Sequence, residues 1–292
     1  MEKLKIAKHI STVTNPPIIC IPLFLIICII LSFENGVFNI SKFVILEAIS
    51  IVFASILPMA IILFWAKKLG TDKDISNRSD RFTPLIVGIV SYFIGFLVSL
   101  ISNADHFLTV LLLCYSINTG VVLLFTTKWK ISVHTTGLSG PVGALILLLG
   151  PIGAIFGIIY PVLIWSRVTL NKHTMAQAIT GGVQGFFLTV LEFYLFNWMF
   201  NFNITGITPL ADCVWYILAI ILTPIALGVL SYIDIKAKKI VFALFELIVL
   251  VLFLISAPLT VSVIFILVSL TSILISYYDV DEFEWYNILK LT

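Results

Sequence analysis

His134 and His173, two of the chain's four histidines, each stand just ahead of a long apolar run. The polar stretch 130–141 places Ser132 two residues before His134. The stretch 166–177 holds Ser166, Arg167, His173 and Gln177, and a third, 67–84, carries Lys73, Arg78 and Arg81. An unperturbed imidazole titrates near pH ~6.5, so at neutral pH it serves as nucleophile or as proton donor. A guanidinium offers a planar fork that matches two phosphate oxygens at once. Two imidazoles with cations from separate loops suit phosphoryl transfer: one ring attacks phosphorus, the other protonates the leaving oxygen, and the remaining donors stabilise charge on the equatorial oxygens. In the 166–177 stretch Asn171 is expected as a helix N-cap, with His173 in the first turn, where free backbone N–H groups favour a phosphate. Gln177, four residues on, shares a face with His173 and is expected to hold one ring nitrogen while the other attacks.

The elements that must position these residues are membrane helices. Hydrophobic residues make up 60% of the 292 positions and charged residues 11%, with a mean hydropathy of +1.15. A soluble domain has about 25% charged residues and cannot bury so much apolar surface in its own core. A span needs about 20 apolar residues. The segments 17–33, 43–66, 83–101, 107–126, 178–198 and 213–233 qualify, and 240–277 divides at Pro258 into 240–255 and 259–277. Segment 138–165 is interrupted at Gly150-Pro151, and its short arms, roughly a dozen residues each, predict a helical hairpin or re-entrant pair that returns to the side it left. The expected fold is therefore all-α, a polytopic transmembrane bundle of about eight spans plus that hairpin, forming one domain over 1–292. A net charge of +2 gives no reason to expect nucleic acid. The cysteines, Cys20, Cys28, Cys114 and Cys213, lack metal-ligand spacing and read as small buried hydrophobes. Lys3, Lys5 and Lys8 ahead of the first run, with no small-residue cleavage pattern after it, predict a retained first helix.

Threading these spans puts all 17 Lys and Arg residues except Lys42 on one side, which the positive-inside rule makes cytoplasmic. The three polar stretches share that side. Glu192 lies roughly 28 Å beyond His173 along a helix at the standard rise, so it is expected near the opposite interface. Glu246 is expected near the cytoplasmic side, beside Lys236, Lys238 and Lys239.

Ser166-Arg167-x5-His173-x3-Gln177 and Ile131-Ser132-Val133-His134 resemble the third and second signatures of the type-2 phosphatidic acid phosphatases, metal-independent membrane lipid phosphatases. The resemblance covers about 67–185. The third signature is kept except that Gln177 stands where the family has Asp. The second keeps its serine and histidine. In the first, Arg81 remains, Asp74 takes the lysine's place and Phe82 that of proline, so Lys73 or Arg78 is expected to stand in for the lysine. The resemblance implies His173 as nucleophile, His134 as general acid, and Arg167, Arg81, Ser132 and Ser166 as phosphate ligands. It also implies a phosphohistidine intermediate, no cofactor or metal, and a lipid phosphate or diphosphate, isoprenoid or phosphatidate-like, reached from the membrane. Gln177 can orient an imidazole but cannot stabilise imidazolium as a carboxylate does. Two other classes fit parts of the pattern. A UbiA-type Mg-dependent prenyltransferase would use Asp72, Asp74, Asn77 and Asp80; a lipid-binding or transport relative would keep the fold without the chemistry.

Overall fold

A computed structural model describes residues 2–70, 79–200, 202 and 204. These form helices almost throughout: α1 (Glu2–Val13), α2 (Pro16–Leu31), α3 (Ile40–Ser50), α4 (Leu57–Leu69), α5 (Phe82–Ile101), α6 (His106–Thr126), α7 (Val133–Leu149), α8 (Ile159–Thr169) and α9 (Met175–Phe200). A π-helical stretch, Ile51–Ile56, joins α3 to α4 without a break, so Ile40–Lys68 is one long apolar rod. The only β-structure among the described residues is a two-residue pairing, Phe33–Glu34 with Val37–Phe38. Asn35 and Gly36, at φ 51° and 80°, turn it, the left-handed pair that a tight hairpin requires.

Five described helices are long and apolar enough to cross a membrane: Ile40–Lys68, Phe82–Ile101, His106–Thr126, Ile152–Thr169 and Met175–Phe200. A sixth span arises if α1 and α2, bent by 55° at their junction, are taken together. The spans expected at 43–66, 83–101, 107–126 and 178–198 fall on these helices. Those at 213–233, 240–255 and 259–277, with Cys213 and Glu246, lie outside the described residues. Large apolar side chains such as Phe64, Leu124 and Trp198 stay more than 60% exposed, as a bilayer solvent allows. These features are consistent with a membrane protein.

The interrupted segment is a helical hairpin, with arms longer than the dozen residues expected. Gly150 at φ 63° reverses the chain after α7, and a 3-10 stretch, Gly150–Ile158, folds back along α7 before α8 begins. Pro161 falls in the first turn of α8, so it does not shorten that arm. The most buried helix is α7, with 13 of its 17 residues buried, where the α3–α4 rod is about one-quarter buried. It packs closely against α9 because α9 presents glycines: a Cβ at Gly181 would lie 2.5 Å from the Ser132 carbonyl, and one at Gly185 2.5 Å from Ser139 Oγ. At the far end, Lys42 pairs with Glu34 at 3.3 Å and Asp105 at 3.0 Å, so the one cation assigned to that side is matched by acids.

Candidate active site

Both histidines owe their places to helix-end geometry. Ser132 is the N-cap of α7, its Oγ accepting from the Thr135 N–H at 3.4 Å, and this sets His134 in the first turn. At the other site the chain leaves α8 through Asn171, in the left-handed region at φ 52°. The Asn171 N–H donates to the Val168 carbonyl at 2.9 Å and the Lys172 N–H to the Arg167 carbonyl at 3.1 Å. That is a Schellman ending, so Asn171 closes α8 rather than capping α9. The turn also explains the spacing from Arg167 to His173: it folds the chain back until the His173 N–H reaches the Arg167 carbonyl at 3.4 Å.

The cap of α9 is Thr174. Its Oγ1 accepts from the Gln177 N–H at 3.2 Å, and Gln177 Oε1 accepts from the Thr174 N–H at 3.1 Å. This reciprocal capping box satisfies two helix-end donors. It commits the Gln177 side-chain oxygen to the backbone, so the expected role of Gln177 in orienting His173 is taken by another group. His173 Nδ1 lies 3.2 Å from the Lys130 carbonyl. A carbonyl can only accept, so Nδ1 carries the proton and Nε2 keeps its lone pair. Among the described residues Nε2 has no hydrogen-bond partner.

The short segment 130–132 ties the three polar stretches together. Arg81 donates to the Ile131 carbonyl at 3.4 Å, the Ser132 N–H donates to the Gln177 carbonyl at 3.1 Å, and Lys130 Nζ donates to the Lys172 carbonyl at 3.0 Å. Arg81, Ser132, His134, Ser166, Arg167 and His173 are all buried. Burial, then the positive charges of Arg81, Arg167 and Lys130, hold the His173 imidazole well below the usual histidine range. Burial, then Arg167, the His173 ring and Arg81, likewise hold the His134 imidazole well below the usual histidine range. A cluster of cations around two imidazoles attracts an anion.

Other expected residues are placed differently. The Ser166 hydroxyl donates to the Ala7 carbonyl at 2.6 Å, so it docks α1 onto α8 rather than facing a ligand. Arg167 is fully buried and one of its terminal nitrogens donates to Ser11 Oγ. The His134 ring bonds to the Ser11 backbone. Lys73 and Arg78 lie outside the described residues, as do Asp72, Asp74 and Asn77. Glu192 is not interfacial: it is 5% exposed inside the bundle, where Asn118 Nδ2 donates to its Oε2 at 3.4 Å. Gln184 and Thr189 complete that buried polar cluster around Asn118.

Sequence reasoning missed Ser11, Lys130 and Thr174. The signature Thr174-x-x-Gln177 is legible as a capping box. Ala7 and Ser11, small residues four apart on α1, mark a face able to pack closely. Nothing in the sequence singles out the Lys130 carbonyl, because every residue carries one.

A cavity of about 110 Å³ opens beside Arg81 and His134, and neither His173 nor Arg167 lines it. It follows α5 from Arg81 to Tyr92, which at ~1.5 Å per residue is about 16 Å. Its walls are largely apolar, with Pro58, Ile62, Leu85 and Val122 among them. Comparison of the chain with family profiles, with curated proteins and with solved structures finds no match.

Proposed function

We propose that the chain is a membrane-embedded, metal-independent lipid phosphatase similar to the type-2 phosphatidic acid phosphatases, acting on a phosphate or diphosphate of an isoprenoid or phosphatidate-like lipid. The observation that carries the reading is His173: Nδ1–H is held by the Lys130 carbonyl, and Nε2 has no partner among the described residues and stands among Arg81, Arg167 and Lys130. In this scheme Nε2 attacks phosphorus while the bond from phosphorus to the lipid oxygen breaks. His134, made imidazolium by the negative charge of the phosphate bound beside it, gives its proton to that oxygen and the lipid alcohol leaves. Water then attacks phosphorus as its bond to His173 Nε2 breaks, neutral His134 takes the water's proton, and inorganic phosphate departs.

The cavity supports this division of roles. In-line displacement puts nucleophile and leaving group on opposite sides of phosphorus. The lipid is the leaving group, so the acid belongs beside the lipid's slot and the nucleophile away from it. His134 lines the cavity and His173 does not. Arg81, Arg167 and the helix start at Ser132 would hold the equatorial oxygens. We assign the site to the cytoplasmic face of a bundle of about eight spans, on the strength of the distribution of Lys and Arg. Phosphate release from a panel of isoprenyl and diacyl phosphates, wild type against His173→Ala, tests the reading; full activity in the variant would remove His173 as nucleophile. Cysteine labelling within 67–82 from the outside only would reverse the orientation.

The neutral Gln177 favours a second reading, a lipid-binding or transport relative without turnover. Purified protein that binds a lipid phosphate yet releases no phosphate between about pH 5 and 8 would establish it. A prenyltransferase would instead lose all activity in EDTA.

A further inference from the structure

The cavity holds a buried side-chain amide that the proposed chemistry does not use. Asn15 sits at the bend between α1 and α2 and is the N-cap of α2, yet its side chain makes no capping bond. The reason is local. Pro16 and Pro17 occupy the first two helical positions and have no N–H. The next donor, the Ile18 N–H, is taken by the Asn15 backbone carbonyl at 2.8 Å. The side-chain amide is thereby released from the usual duty of an asparagine at this position.

Asn15 is 9% exposed, it lines the cavity together with Arg81 and His134, and its Oδ1 has no hydrogen-bond partner among the described residues. Most neighbouring polar side chains of the cavity are engaged by the protein. Asn118 bonds to Thr189 and Gln184, Thr119 donates to the Tyr115 carbonyl, Thr136 to the Gly181 carbonyl, and the Tyr115 hydroxyl meets Cys20 Sγ. A buried amide oxygen left without a donor costs about 1–3 kcal/mol, so its retention points to a donor carried by the ligand.

We infer that Asn15 is a specificity-determining residue that accepts a hydrogen bond from a free hydroxyl on the lipid, within a few bonds of the phosphate. The substrate class is then a hydroxyl-bearing lipid phosphate of the acylglycerol type. A prenyl phosphate has no hydrogen-bond donor at that position. An ammonium donor is disfavoured because Arg81 lines the same cavity. The position also fits the head end of the ligand: Asn15 lines the cavity beside Arg81 and His134 and follows the α1 segment whose Ser11 holds Arg167. The inference rests on the phosphatase reading and narrows its substrate.

The test compares phosphate release by the full chain in detergent micelles from 1-acylglycerol 3-phosphate and from its 2-deoxy counterpart with the same acyl chain. Wild type is expected to favour the hydroxyl-bearing lipid in kcat/KM by about tenfold or more, the range that an unpaired buried acceptor commands. In Asn15→Leu the ratio should fall toward one, through loss of the preferred substrate. A wild-type ratio near one, with phosphate released from both, overturns the assignment of Asn15 and leaves the phosphatase reading standing; that measurement needs no variant to fold. No release from either lipid or from isoprenyl phosphates overturns both.

Discussion

Replacing Gln177 by Ala separates two accounts of that residue. If Gln177 positions the catalytic imidazole, as the corresponding family aspartate is expected to do, its loss should lower kcat by about 10²-fold or more, the scale of contributions from acid–base machinery. The geometry assigns it other work. Its Oε1 accepts from the Thr174 N–H at 3.1 Å, while His173 Nδ1 faces the Lys130 carbonyl at 3.2 Å. Truncation therefore removes one neutral hydrogen bond at the start of α9 and leaves one N–H without a partner, a loss of about 1 kcal/mol. The backbone bond from Ser132 N–H to the Gln177 carbonyl is retained, so the contact between α7 and α9 holds. The expected outcome is a lower midpoint of thermal unfolding in detergent and a kcat within about threefold of wild type. Gln177→Asp should likewise fail to accelerate turnover, since a carboxylate there would cap α9 equally well. The decisive assay measures unfolding and phosphate release on the same preparations. A hundredfold fall in kcat at unchanged stability would refute the capping-box account and restore the residue to the catalytic group.

Four further outcomes follow from the geometry. Ser11→Ala should raise KM for a lipid phosphate several-fold, because Arg167 is fully buried and loses the hydroxyl that holds it; steady-state kinetics with a thermal-unfolding control reads this. With neutral His173 as the proposed nucleophile, the acid limb of kcat/KM should lie below pH ~6.5: its pKa is lowered by burial and by Arg81, Arg167 and Lys130, and so protonation would switch it off only at a pH beneath the usual histidine range. Lys130→Ala removes one of those charges while keeping the carbonyl on Nδ1, and should move that limb upward, as a pH–rate profile would record. Gly181→Val should abolish activity and destabilise the fold by about 2–3 kcal/mol or more, since even a Cβ there would lie 2.5 Å from the Ser132 carbonyl; size-exclusion chromatography and thermal unfolding measure it.

What the sequence discloses depends on whether the signal is carried by side-chain type or by backbone. The spans over 43–66, 83–101, 107–126 and 178–198 are legible because apolar length alone decides whether a helix can cross a bilayer. Arg81, His134, Arg167 and His173 are legible as charges and rings sharing one end. The misreadings are of another kind. Asn171 and Thr174 are both capping types, three residues apart, and composition cannot tell which closes α8 and which opens α9; the left-handed φ of Asn171 decides it. For Glu192, counting rise along a helix gives depth but not facing. The glycine face at 181 and 185 turns α9 so that Glu192 points to Asn118 and not to the membrane.

The N-terminal segment shows the same limit in its strongest form, and it bears on how the site works. Read as sequence, residues 2–13 contribute cations to a charge count. Folded, they supply Ala7 to Ser166, Ser11 to both Arg167 and His134, and lead into Asn15 at the cavity. The two signature residues Ser166 and Arg167 are thus held from outside the 67–185 region that bears the resemblance. A phosphate site built from α5, α7, α8 and α9 alone would leave the fully buried Arg167 without its hydroxyl partner, at a cost larger than that of an unpaired neutral donor. The bend of 55° between α1 and α2 is what lets one segment both brace the arginine and line the cavity. On the proposed reading, phosphate and hydroxyl recognition meet at a single elbow, and substitutions in α1 should alter substrate preference although they lie far along the chain from the proposed nucleophile His173.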